Sequence, residues 1–120
     1  MDRTDAKELL HIKAWLERAA DVVAHGKDAY LSDELLQEAG DSLMMKLGEA
    51  ANRLARRGVP SPEGVEWAIA VANRNFIIHR YDEISRGLTW QTLAVDLPGW
   101  AAALSGSYAI AEDALRSPNA

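Results

Sequence analysis

The stretch Ser32 to Glu63, "SDELLQEAGDSLMMKLGEAANRLARRGVPSPE", decides how the chain folds. It opens on Ser32, a capping hydroxyl, followed by Asp33 and Glu34 where the helix dipole is positive. Leu36, Leu43, Leu47, Ala50 and Leu54 then fall on a helical stripe about one face wide. Gly58 reads as the stop. Ser61-Pro62-Glu63 reads as the next start: a cap, a proline in the first turn, and an acid.

The same period extends to both sides. Before it, Leu9, Ile12, Leu16, Ala19, Val22 and Val23 recur at three- and four-residue steps and stop near Gly26. After it, a third helix is predicted from Ser61 through Val65, Ala68, Ile69, Ala72, Phe76 and Ile77 towards Tyr81, ahead of a break at Gly87. A fourth begins near Thr89. "DLPGW", Asp96 to Trp100, marks a kink or restart with Pro98 tolerated in a first turn, and Leu104, Tyr108, Ala111 and Leu115 continue it. The expected fold is all-α: a four- to five-helix antiparallel up-and-down bundle with helices of about 20 residues and short loops. A single domain is expected over residues 1–116, with "SPNA" at 117–120 as a frayed tail. Trp15, Met45, Trp67, Trp90 and Trp100 fall outside any one stripe, which predicts burial of some of them against a second subunit.

Bulk properties narrow the function. With 120 residues and 48% hydrophobic content the chain is globular and of one-domain size. There is no cysteine, hence no disulfide and no thiolate metal site, which fits a reducing cytoplasm. The start "MDRTDAKELL" lacks the apolar run of a secretory signal, and no stretch reaches the ~18 apolar residues of a membrane span. A formal charge of −5 argues against coating nucleic acid by bulk electrostatics, though not against a local basic site. Two clusters offer one: Arg53, Arg56 and Arg57, and Arg74, Arg80 and Arg86.

The segment "ANRNFIIHRYDEI", residues 72 to 84, carries more polar chemistry than a core helix needs. Arg74 and His79 are five apart, about 140° around a helix, and both can border a cleft beside it. Arginine is a fixed cation with a planar fork suited to phosphate; histidine moves protons near neutral pH. Together they suit metal-free RNA cleavage by an attacking 2′-hydroxyl. One histidine serves both sides of an in-line displacement poorly, and a two-fold dimer would bring two histidines and two arginines into one cleft.

"RNFIIHRY" resembles the R-x-x-x-x-H-x-Y signature of HEPN domains, in particular the HepT-like toxins. "KLGEAANRL" (46–54), "VEWAIAVANRN" (65–75) and "TWQTLAVDLPGW" (89–100) resemble that family's flanking segments in the same order. The resemblance implies a dimeric ribonuclease toxin with Arg74 and His79 as the catalytic pair and Asn75 shaping the site. It also implies an MNT-type nucleotidyltransferase antitoxin that transfers AMP to Tyr81, and neither cofactor nor metal. An AMP on Tyr81 would fill the cleft and repel RNA phosphates. Other readings stay open. His79 can be a hydrogen-bonded helix-end residue, Arg74 an ion-pair partner of Glu49, and Tyr81 a packing aromatic. His79, Asp82 and Glu83 make a poor metal set without a second histidine. Asp82 and Glu83 suit a surface that meets a basic partner. The domain can also be a non-catalytic module that binds a nucleotide or partner, or a purely structural helical dimer. His11 and His25 read as solvated or capping.

Overall fold

The computed structural model describes residues 1–79 and 84–116, apart from the side chains of Ile78 and His79. The expected tail at 117–120 lies outside the described residues. Among these residues every regular element is helical: α1 Arg3–Ala24, α2 Lys27–Ser32, α3 Glu34–Arg56, α4 Trp67–His79, α5 Arg86–Gln91, α6 Leu97–Ala103 and α7 Ser105–Arg116. A π-helical turn, Thr92–Asp96, joins α5 to α6. No described helix is long and apolar enough to cross a membrane.

The elements are less equal than the periodicity predicts. α1 and α3 have 22 and 23 residues, whereas α4 has 13 and the fourth segment is divided. Pro98 is the reason for one division. It has no N–H to give, and its ring collides with the carbonyl four residues back. The chain therefore widens over 92–96, Leu97 N–H reaches back to the Thr92 carbonyl, and α6 starts afresh with the proline in its first turn.

Two helix starts are also corrected. Asp33, not Ser32, caps α3: its Oδ1 accepts the Leu35 N–H at 2.9 Å. The Ser32 hydroxyl instead donates to the Asp28 and Ala29 carbonyls and closes α2. The third helix starts at Trp67 rather than at Ser61-Pro62-Glu63. Residues 61–66 turn instead, with Val65 N–H on the Pro62 carbonyl and Gly64 at φ +88°. The turn brings Val65 and Trp67 into the core, where the indole N–H of Trp67 donates to the Val59 carbonyl at 3.2 Å. The stop at Gly58 is as predicted. Gly58 takes φ +76°, its N–H bonds the Ala55 carbonyl, and Val59 N–H bonds that of Leu54, the paired closure of a Schellman end.

α3 is the central rod. One face, with Leu43, Leu47, Ala50 and Leu54, matches the predicted stripe. A second buried face, with Gly40, Met44, Gly48 and Ala51, lies outside that stripe, and three of these four are glycine or alanine. At Gly48 the helices come very close. A Cβ there would lie 2.3 Å from Arg74 Cβ and 2.7 Å from the Ala70 carbonyl oxygen. α3 and α4 run antiparallel, since Val59 meets Trp67 and Gly48 meets Arg74 further along. α1 is antiparallel to α3: Glu8 takes a bidentate pair of hydrogen bonds from Arg53, and Asp5 and Asp2 take theirs from Arg57. Arg3 closes α7 by donating to the Ala114 and Leu115 carbonyls.

The four tryptophans divide two and two. Trp67 and Trp100 are buried within this chain and pack edge to face at 6.2 Å. Trp90 lies half-buried on Tyr30 at 5.5 Å, and Trp15 half-buried beside His11. The large apolar side chains left exposed include Ile69, Phe76, Leu88 and Val95.

α5 is tied to α3 by a buried ion pair. Arg86 Nη1 and Nη2 donate to Asp41 Oδ1 and Oδ2 at 2.7 and 3.0 Å. These bonds hold the Arg86 guanidinium above its ordinary pKa. Thr89 Oγ1 donates to the Arg86 carbonyl and shares a 2.5 Å hydrogen bond with the buried Tyr30 hydroxyl.

Two stability predictions follow from these contacts. Gly48→Ala should destabilise by about 1–3 kcal/mol, because a backbone oxygen cannot step aside. Gly106→Ala, where a Cβ meets open space, should leave the melting temperature level or raise it. Thermal unfolding of both variants checks this. Arg86→Met should cost about 3–5 kcal/mol by stranding the Asp41 carboxylate, and the double variant Asp41→Leu/Arg86→Met should recover much of it. Denaturant midpoints decide; equal loss in both variants would show that burial of the unpaired acid is not the cause.

Candidate functional site

α4 buries Trp67, Ala70 and Ile77 but leaves Ile69 and Phe76 exposed, so its apolar residues are not confined to one face. α3 covers one side. There the Arg74 side chain, 28% exposed, is pinned at its root by the close approach at Gly48. Its Nη1 donates to the Asn75 side-chain oxygen at 2.9 Å. Its Nε is buried, and among the described residues it has no hydrogen-bond partner. Glu49 is the nearest carboxylate, with Oε1 3.7 Å from that Nε. The distance is an ion pair beyond hydrogen-bond reach. The proposed Arg74–Glu49 pairing is thus present, but loose. Asn75 is exposed and orients the guanidinium from its neighbouring position.

α4 runs through His79, so the backbone of Arg74 and that of His79 share one helix. The His79 side chain, Arg80, Tyr81, Asp82 and Glu83 lie outside the described residues. Among the described residues no three His, Asp or Glu side chains gather as metal ligands.

Arginines of both basic clusters are committed to acids of the same chain, while Arg80 lies outside the described residues. Arg53 and Arg57 bind the acids of α1, and Arg86 binds Asp41. The hydrogen bonds from Arg53 to Glu8 raise the Arg53 pKa. These guanidiniums hold helices together, and Arg74 differs from them in being held only loosely by its nearest carboxylate. His25 caps α1, its Nδ1 3.0 Å from the Asp21 carbonyl, and His11 is exposed, as expected.

The other side of α4 opens onto an apolar groove. Two cavities of about 480 and 260 Å³ share Met44, Asn73 and Thr92 in their walls. Ile69 borders one, and Phe76 and Leu88 the other; Leu88 is 71% exposed. Asn73 went unnoticed in the sequence because it stands beside the more conspicuous Arg74. Asp41 went unnoticed because an acid inside a helical stripe carries no signal until its partner is seen.

A rooted, partly exposed guanidinium with an amide beside it can hold a phosphate. No curated protein and no solved structure matches the chain. The family model for ribonuclease HepT-like proteins matches residues 12–105, from within α1 to the start of α7. That span takes in both helices that build the Arg74 site, and the chain belongs to the HepT-like ribonuclease family.

Proposed function

We propose that this chain is a metal-independent endoribonuclease, the toxin of a type II/VII-like toxin–antitoxin pair, acting as a HEPN homodimer in the cytoplasm. The observation that carries the reading is the Arg74 guanidinium, rooted at Gly48, partly exposed and held only loosely by its nearest carboxylate. Its exposed part would clamp the scissile phosphate. Asn75 would keep the fork aimed, and His79 would act as acid or base. The 2′-oxygen bonds to phosphorus as the bond to the 5′-oxygen breaks; a base takes the 2′-hydroxyl proton and an acid protonates the leaving oxygen. The two proton transfers call for two histidines, one from each subunit. The exposed apolar side chains Ile69, Phe76 and Leu88, which border the two cavities beside α4, support an interface there.

Neutralisation is by an MNT-type nucleotidyltransferase that transfers AMP to Tyr81. The added anion would oppose an RNA phosphate at the same cleft.

Alanine at Arg74 or His79 should lower RNA cleavage by about 10²–10⁴-fold and relieve growth arrest, with thermal unfolding little changed. Full toxicity in both variants would refute the assignment. A second reading, a non-catalytic nucleotide- or partner-binding module, draws on the acidic chain and on Glu49 beside Arg74. Intact mass after co-expression with an adjacent nucleotidyltransferase separates the two. One or more AMP units, absent from Tyr81→Phe, are expected; co-purification with no mass gain favours the binding module.

A further inference from the structure

Glu49 holds an unusual place among the acids of this chain. The carboxylates that meet Arg53, Arg57 and Arg86 do so through hydrogen bonds of 2.5–3.0 Å. Glu49 meets Arg74 at 3.7 Å, without one. It follows Gly48 directly, so the close helix approach that roots Arg74 also delivers this carboxylate to its guanidinium. Arg53, the other cation in its field, is already held by Glu8. The Glu49 side chain is 45% exposed. As a structural pair this is weak. As an anion beside a partly exposed guanidinium that it does not hydrogen-bond, it is well placed to compete.

We propose that Glu49 sets the affinity of the Arg74 site: its carboxylate neutralises Arg74 in the free protein and yields that place to an incoming RNA phosphate. The proposal rests on Arg74 being the phosphate clamp. Each phosphate then binds against a resident anion. Glu49 thereby restrains RNA affinity without taking any of the donors that the phosphate uses.

The test is equilibrium binding of a fluorescein-labelled single-stranded 2′-deoxy-oligonucleotide, which lacks the attacking hydroxyl, read by anisotropy at low salt. Wild type, Glu49→Gln, Arg74→Gln and the double variant are compared. Glu49→Gln is isosteric at an exposed position, and its thermal unfolding should match wild type. It should tighten binding about two- to fivefold, the range for an exposed charge contact. The gain should vanish when Arg74 is Gln. Unchanged, weaker or unmeasurable binding in Glu49→Gln would overturn the proposal. So would equal tightening in the Arg74→Gln background, which would mark a general charge effect. If RNA is never cleaved while the Arg74-dependent gain is present, the ribonuclease reading fails and the role of Glu49 stands.

Discussion

The contact between Gly48 and the backbone of α4 governs this molecule. Without a side chain on α3 at that point, the Ala70 carbonyl and the Arg74 Cβ come within a distance that no other residue would permit. The approach sets the register of two antiparallel helices, with Val59 against Trp67 at one end and the groove around Met44 and Asn73 towards the other. It also immobilises the first carbons of Arg74. A guanidinium on a free stem loses side-chain entropy when it binds a ligand; one rooted between helices has already lost part of it. Packing and chemistry therefore meet at one position that carries no functional group.

Charge is distributed with a similar economy. The chain is acidic, and Arg53 and Arg57 near the end of α3 are matched to acids at the start of α1. Such exposed pairs add little stability singly. Their larger effect is selective: they withdraw most of the cations near α3 from any external anion. What distinguishes Arg74 is therefore less its own surroundings than the pairing of Arg53, Arg57 and Arg86.

Much of this was legible in the sequence. Leu9, Ile12, Leu16, Leu43, Leu47 and Leu54 announced the buried stripes, and Gly58 announced the end of α3. The Arg74, Asn75 and His79 spacing pointed to the helix that the family match includes. Other features were hidden for definite reasons. Glycine and alanine carry no hydropathy signal, so the second face of α3 was silent. Ser32 and Asp33 are both good caps, and only the backbone decides between them. Pro62 after Ser61 resembles a helix start, yet burial of Val65 and Trp67 draws that segment into a turn. Trp67 and Trp100 fall outside a single stripe because they pack on one another within this chain.

The widened turn at Thr92–Asp96 bears on how the last helices meet the core. An α-helix advances about 100° per residue, and the π-turn holds one residue more than a regular helical turn would need. The wider turn takes up that extra residue, so Leu97, Trp100 and Leu104 beyond it still face the core. The last third of the bundle thus keeps its phase through this short segment. Leu93, fully buried within it, anchors the segment to the core.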